Sequence, residues 1–185
     1  FIRNLAPRRS GYLVKGSRGS KMKRLAVTIL MGGPDSEREV SLASGNAVAA
    51  ALEKTDKFDV VVQCIDLPTM DDIKNIKSDV VFPVLHGPFG EGGPLQSMLE
   101  KSGIPFVGSN SKVSNDAMDK VVTKQLATQL GIPTPTWSVV SENEPCTISP
   151  PLVLKPINDG SSVDLTICHN NEQVISARKE LHQSR

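Results

Sequence analysis

The sequence predicts an α/β protein, in which a domain built on a parallel sheet is followed by the beginning of a second domain. Three observations support this fold class. Short apolar runs alternate with segments whose apolar residues recur at helical spacing, which is typical of β-α-β units. Glycine-rich loops follow two of these runs. A proline-rich stretch then separates them from two further short runs near the carboxyl terminus.

The composition is that of an ordinary globular protein. Of the 185 residues, 38% are hydrophobic and 22% are charged, and no apolar run approaches the ~18 residues that a membrane-spanning helix needs. Cys64, Cys146 and Cys168 lie far apart without a C-x-x-C pair, so they indicate neither a disulfide framework nor a zinc site. We therefore expect a protein of the reducing cytoplasm that has no membrane partner.

The first 24 residues are strongly basic. They hold eight lysines and arginines and no acidic residue, so the rest of the chain is acidic although the formal net charge is +1. A basic arm could bind nucleic acid or an anionic membrane. Because Met22 stands just before the first apolar run, we instead interpret residues 1–21 as a disordered leader or a non-native extension, with no nucleic-acid partner.

The first strand and helix form the opening β-α unit. The run 25–30 predicts a buried strand that ends at the glycine pair beginning with Gly32. Ser36 and Glu39 match a capping box, which predicts that a helix begins there. The apolar stripe expected to lie on the sheet comprises Val40, Ala43, Ala47, Val48, Ala51 and Leu52.

Two further strands complete the β-α-β pattern. The segments 58–65 and 80–85 are near-continuous apolar runs, which predicts strands covered on both faces. The segment 86–93 is too rich in glycine for regular structure, and it leads into a helix predicted over 94–101.

The domain boundary is predicted from a proline-rich crossing. A helix capped by Asp119 should end at Gly131, and the first domain then covers 22–132. The crossing occupies 133–150, and the start of an incomplete second domain occupies 151–185. Within the second domain we expect strands over 152–156 and 163–168 and a helix over 172–181.

Glu37 and His86 are the first candidate binding residues. Each follows a predicted strand at its carboxyl end, where open α/β sheets bind ligands. Glu37 could hold a cationic group such as a substrate ammonium, or it could only complement the helix dipole. His86 could contact the same ligand, or it could be a structural hydrogen-bonding group.

Lys155 and the turn beginning at Asp159 form the second candidate site. A strand lysine, the hydroxyls of Ser161 and Ser162 and the loop amides suit nucleotide phosphates, although a Walker A motif is absent. The alternative is a plain β-turn. Lys120, by itself, is an ordinary surface lysine just inside a helix.

Six strings in a fixed order point to one family. They are GGPDSEREVS at 32–41, LHGPFGEGG at 85–93, GIPFVGS at 103–109, AMDK at 117–120, GIPTP at 131–135 and LVLKPINDGSSV at 152–163. Together they closely resemble the D-alanine–D-alanine ligases, which belong to the ATP-grasp ligases. The resemblance covers residues 24 to about 170. It implies a Rossmann-like pre-ATP-grasp domain followed by the start of an ATP-grasp domain.

The resemblance also implies a role for each candidate residue. Glu37 would bind the ammonium of the first D-alanine, and Ser161 would link this carboxylate to the substrate. The residues implied to line the first subsite are Val40, Ser41 and His86. The residues implied to bind ATP are Lys120, Lys155 and Ser162.

The reaction implied by the resemblance is an ATP-dependent ligation. One D-alanine carboxylate is phosphorylated, and the amine of the second D-alanine attacks the acylphosphate, giving a dipeptide for peptidoglycan synthesis. The family's magnesium ligands, adenine pocket and second subsite would lie beyond Arg185, so no metal ligand is assigned here and the chain alone is expected to be inactive. A homodimer is a further expectation. Two alternatives stay open: a fragment of a D-alanyl-D-lactate or D-alanyl-D-serine ligase, and a truncated non-catalytic remnant that only folds or dimerises.

The sequence departs from the family pattern at three positions. Asp159 stands where the family usually has glutamate, and Gly92 stands where it usually has aspartate. Asp164 stands where a glycine usually follows the valine. An added carboxylate near a phosphate-covering turn would repel the nucleotide.

Overall fold

A computed structural model describes residues 23–141 and 144–183. The predicted leader, 1–21, lies outside the described residues. In chain order the elements are β1 Leu25–Gly32, α1 Arg38–Glu53, β2 Phe58–Ile65, α2 Met70–Lys74, β3 Val80–Pro83, α3 Gly87–Glu91, α4 Pro94–Ser102, α5 Ser111–Met118, α6 Lys120–Gln129, β4 Leu152–Leu154, β5 Thr166–Cys168 and α7 Asn171–Gln183. No helix in these ranges combines the length and the apolar content that crossing a membrane requires.

A three-stranded parallel sheet organises the first part of the chain. Its order is β2-β1-β3, with Leu25 opposite Phe58 and Val27 opposite Val80. From Val27 onward every residue of β1 is buried, because this central strand has a neighbour on each side and helices on both faces. The predicted α/β class with a parallel sheet is confirmed.

The hydrophobic core divides at the sheet. On one face, Val27 and Ile29 of β1 pack in a cluster with Ala49 of α1. On the other face, Leu30 packs with residues from α2 and α4, including the fully buried Leu99. These two clusters hold β1 rigidly, so the loop that follows its carboxyl end starts from a fixed position.

Helix α1 faces the sheet with only part of the predicted stripe, since Val48 and Leu52 pack against the core beside β1. Ala43, Ala47 and Ala51 are exposed, and the buried residues of the helix are Ser41, Gly45 and Ala49. Gly45 explains the difference, because a Cβ at this position would lie 2.7 Å from the Cβ of Met31. The helix thus approaches β1 closely along its smallest residues, which hydrophobic periodicity does not reveal.

The predicted capping box at the start of α1 is also wrong. The helix begins at Arg38, and its N-cap residue Glu37 makes no side-chain capping hydrogen bond. Ser36 lies before the cap, so it cannot pair with Glu39 in the predicted manner. The carboxylate of Glu37 therefore does not cap its own helix.

Strand β2 has the predicted bounds, but it is not buried on both faces as predicted. Val61 and Val62 are 56% and 40% exposed, so the strand is not covered on both faces. Among the described residues β2 pairs only with β1, and this edge position leaves its apolar run partly in solvent.

Two short helices and one longer helix were not predicted. Helix α3 lies within the segment 86–93, which was expected to be irregular. Helix α2 has a capping box formed by Thr69 and Asp72, and the hydrogen bonds from Thr69 lower the pKa of Asp72. Helix α5 begins after Asn110, whose side chain accepts from the amide of Val113.

The later elements follow the prediction more closely. Asp119 caps α6 by accepting from the amides of Val121 and Val122, and Gly131 adopts a left-handed φ of 68°. Strands β4 and β5 are shorter than predicted and pair antiparallel, and α7 packs against both. Their cluster centres on Leu154 and Cys168, and burial raises the pKa of the Cys168 thiol.

Candidate active site

The candidate site lies where the first helix meets the turn that follows β4. The hydroxyl of Ser161 donates a hydrogen bond of 2.5 Å to Oε1 of Glu37. Ser161 and the next residue, Ser162, have φ values of 51° and 59°, in the left-handed region that non-glycine residues rarely adopt. The sequence-predicted pair Glu37 and Ser161 is thus brought into direct contact, and a strained turn presents Ser161 to the carboxylate.

Arg38 anchors the loop that carries Glu37. Its Nη1 atom donates to the carbonyl oxygens of Gly33 and Ile65, at 2.9 and 2.8 Å, and lies 2.8 Å from Oδ1 of Asp66. The guanidinium therefore ties the ends of β1 and β2 to the beginning of α1. Sequence reasoning assigned no role to Arg38, and nothing in its local pattern distinguishes it from an exposed helical arginine.

Ser41 lies beneath the site and is fully buried. Its hydroxyl donates to the carbonyl oxygen of Val84 at 2.6 Å and accepts from the amide of Gly32 at 2.8 Å. In this position the side chain joins the carboxyl end of β1 to the segment after β3. Val40, one residue earlier, is 50% exposed. Contact of either residue with a substrate stays a prediction.

We expect Ser41→Ala to destabilise the fold. The change leaves the amide of Gly32 and the carbonyl of Val84 without their buried partner, which should lower the free energy of unfolding by about 1–3 kcal/mol. Urea denaturation followed by far-ultraviolet circular dichroism measures this loss. The control is Ser44→Ala on the same helix, for which a change within about 0.5 kcal/mol is expected. Equal stabilities of the two variants would contradict the bridging role of Ser41.

His86 lies in the short segment between β3 and α3. It is the N-cap residue of α3, and its Nδ1 atom is 3.5 Å from Oε1 of Glu91. The Nε2 atom is buried, and the described residues offer it no hydrogen-bond partner. A buried ring nitrogen in this state favours a ligand or a water molecule beside it.

Glu91 connects the histidine to the turn that carries Ser161. Its Oε2 atom accepts from the amide of Gly87 at 3.1 Å. The same oxygen lies 3.9 Å from the position that a Cβ would take at Gly160. The carboxylate is thus close to both the first turn of α3 and the 159–162 turn.

The phosphate-binding candidates line one cavity. A cavity of about 150 Å³ is bounded by Lys120, Lys155, Pro156, Asp159, Gly160, Ser161, Ser162, Val163 and Leu165. The Nζ atom of Lys120 donates to the carbonyl oxygens of Asp159 and Ile157, at 2.7 and 3.2 Å. Two lysines, two serines and a tight turn therefore line one small space, and their side chains include donors suited to phosphate oxygens.

Potential metal-ligating side chains are not clustered in the described part of the chain. Within 23–141 and 144–183 no three His, Cys, Asp or Glu side chains are grouped so that they could hold a metal ion. Mg²⁺ prefers carboxylate and phosphate oxygens, and the cavity is instead lined by two lysines. No metal ligand is assigned to this part of the chain.

Comparisons with known proteins point to one family. Residues 67–109 match the family described as D-ala D-ala ligase N-terminus. A D-alanine–D-alanine ligase of Pseudomonas entomophila is 39% identical over 159 residues, which are 83% of this chain and 50% of that protein. The chain spans about half the length of the curated relatives it matches.

Solved structures give the same result. A D-alanine–D-alanine ligase from Bacillus anthracis superposes with a TM-score of 0.77 and 34% identity, covering 86% of this chain and 54% of that one. The same enzyme complexed with ATP gives a TM-score of 0.74. The VanG D-Ala:D-Ser ligase from Enterococcus faecalis gives 0.70 with 26% identity, covering 85% of this chain and 59% of that chain.

The parallel sheet and the superposition on solved ligases show that the described residues share the fold of the amino-terminal part of an ATP-grasp ligase. Within this class, the chain is similar to the D-alanine–D-alanine ligases over most of its length. The resemblance inferred from the six sequence strings is confirmed.

Proposed function

We propose that the chain forms part of an ATP-dependent carboxylate–amine ligase that joins two molecules of D-alanine. The observation that carries this proposal is the contact between Glu37 and Ser161, with the lysine-lined cavity directly beside it. It brings a carboxylate that can bind an amino group next to cations that can bind phosphates. The B. anthracis ligase complexed with ATP supports ATP as a substrate.

The carboxylate of Glu37 is proposed to bind the ammonium of the first D-alanine. Its own helix does not use it for capping, and Oε1 already accepts a hydrogen bond from Ser161. An ammonium has three donors, so it can share this carboxylate with the serine hydroxyl. Exposed Val40 and the buried Nε2 of His86 would lie beside the amino acid, and Ser41 would support the subsite from below.

Lys120, Lys155 and Ser162 are proposed to bind the phosphates of ATP. The cavity of about 150 Å³ is smaller than the roughly 300–1,000 Å³ that pockets for whole small molecules occupy. These residues would therefore enclose only the phosphate end of the nucleotide. The positive charges of the two lysines would offset the negative charge on the transferred phosphoryl group.

Two steps complete the proposed reaction. A carboxylate oxygen of the first D-alanine attacks the γ-phosphorus of ATP, giving an acylphosphate and ADP. The amine of the second D-alanine then attacks the acyl carbon, loses a proton and displaces phosphate, which leaves the dipeptide. Holding the first amino acid beside the phosphates supplies the orientation that makes the first step fast. Cytoplasmic peptidoglycan synthesis is the proposed use of the product, and the homodimer stays a prediction.

A second candidate is a ligase with a different second substrate. The VanG D-Ala:D-Ser ligase matches the fold with a TM-score of 0.70. Glu37, Ser161 and the lysines would serve the first amino acid and ATP in either enzyme. A D-alanyl-D-serine or D-alanyl-D-lactate ligase therefore fits the same described site.

The test uses a chimeric enzyme. Residues 23–168 are joined to the complementary half of the P. entomophila ligase, and phosphate release is measured with D-alanine and ATP. We expect ATP-dependent formation of D-alanyl-D-alanine. The 185-residue chain alone should show no turnover and should bind ATP no better than about millimolar, because a small lysine-lined cavity leaves most of the nucleotide in water. A folded chimera without activity would favour the non-catalytic remnant.

A further inference from the structure

Asp35 links the two loops that form the candidate site. It lies between β1 and α1, only two residues before Glu37. Its Oδ2 atom accepts a hydrogen bond of 2.8 Å from the amide of Phe89, in the first turn of α3. The contact therefore joins the loop that carries Glu37 to the helix that begins after His86.

Helix α3 depends on this contact at its amino terminus. The N-cap residue His86 makes no side-chain capping hydrogen bond, and Pro88 has no amide hydrogen to donate. The amide of Gly87 is used by Glu91, and the amide of Phe89 is used by Asp35. Glu91 of the helix thus caps one of these amides, and a carboxylate from another loop caps the other.

Asp35 also fits α3 closely in shape. Gly87 has a φ of 87°, and a Cβ at this position would lie 2.6 Å from the Cβ and 2.8 Å from the Cγ of Asp35. The backbone of α3 therefore presses directly on the Asp35 side chain. The hydrogen bond and this close packing together fix the position of α3 relative to the loop that carries Asp35 and Glu37.

The placement of α3 determines where two site residues lie. His86 immediately precedes the helix, and Glu91 is its last residue, with 3.5 Å between Nδ1 and Oε1. The helix has only five residues, so a shift of its first turn moves both side chains. Glu91 in turn lies beside Gly160, next to the serine that contacts Glu37.

We propose that Asp35 is a positioning residue of the site, which fixes the His86–Glu91 pair relative to the loop that carries Glu37 by capping α3 from that loop. Its importance for catalysis rests on the proposed function, whereas its control over the position of His86 does not. Asp35 itself touches no reacting atom in this assignment.

The first test measures position in the 185-residue chain. Asp35→Ala should speed amide hydrogen exchange at Phe89 and Gly90 at least 10-fold and shift the imidazole resonances of His86. Asp35→Asn keeps an acceptor oxygen and should restore most of the protection. Asp72→Ala is the matched control, because it removes a capping carboxylate from α2, which contributes no residue to the site. Unchanged exchange at Phe89 and unchanged His86 resonances in Asp35→Ala would overturn the proposal.

The second test measures catalysis in the chimera. We expect Asp35→Ala to lower kcat/KM for D-alanine at least 10-fold, Asp35→Asn to recover most of it and Asp72→Ala to leave it unchanged. A loss of thermal stability in Asp35→Ala without a change in kcat/KM would overturn the positioning role. The two proposals can fail separately. If the unmodified chimera makes no dipeptide, the proposed function fails. If the imidazole resonances of His86 still shift only in Asp35→Ala, the positioning of His86 by Asp35 stands.

Discussion

Replacing Glu37 with glutamine in the chimera should lower kcat/KM for the first D-alanine by roughly 10- to 150-fold. The estimate is the ~1.5–3 kcal/mol lost when a charged hydrogen-bond partner is removed. The affinity for ATP should change little, because the lysine-lined cavity does not include Glu37. Steady-state kinetics with D-alanine and ATP varied in turn separate the two effects.

Glu39→Gln is the matched control for this prediction. Glu39 lies two residues further along, is exposed, and is the acidic residue in the first turn of α1. Both substitutions remove one negative charge near the same helix terminus, which costs at most ~1 kcal/mol of stability. If Glu37→Gln and Glu39→Gln have the same kcat/KM, the carboxylate of Glu37 does not bind the substrate.

Replacing Gly32 with alanine should destabilise the protein by about 2–5 kcal/mol. Gly32 has a φ of 94°, and a Cβ there would lie 2.5 Å from the carbonyl oxygen of Ile65 and 2.9 Å from Nη1 of Arg38. The estimate adds ~1–2 kcal/mol for the left-handed conformation to ~1–3 kcal/mol for overpacking. Urea denaturation measures the change.

Gly131→Ala separates the two contributions. Gly131 also has a positive φ, of 68°, but no atom lies within 4 Å of its would-be Cβ. It should therefore lose only the ~1–2 kcal/mol of conformational strain. If Gly32→Ala and Gly131→Ala lower the free energy of unfolding equally, the end of β1 can move away from Ile65 at little cost.

Elements with strong local signals were predicted well from the sequence. Strand β2 has the predicted bounds, and Asp119 and Gly131 delimit α6 as their capping preferences indicate. These features depend on neighbours within a few residues. The same reasoning placed Val48 and Leu52 of α1 correctly. It placed the predicted alanines of the stripe wrongly, because close approach at Gly45 selects the buried face and this contact comes from a different element.

Some residues of the candidate site were predicted from the sequence, and others were not. The sequence order of motifs pointed to Glu37 and Ser161, and the structure brings them into contact. The supporting residues Arg38 and Asp35 were missed, because each acts through hydrogen bonds to backbone groups of other elements. A carboxylate that caps a distant helix has the same local sequence as one in solvent. Such residues can be identified only after the loops have been placed.

The hydrogen bond between Glu37 and Ser161 joins residues 124 positions apart in the chain. Closing so long a loop costs more entropy than forming the neighbouring β-α-β units, so we expect this contact to be made late in folding. In the native protein the same junction should open by local unfolding while the parallel sheet remains intact. An amino acid bound to both side chains would stabilise the closed form by mass action. Protection of the β4–α7 segment from proteases would then report on occupancy of the site without any measurement of turnover.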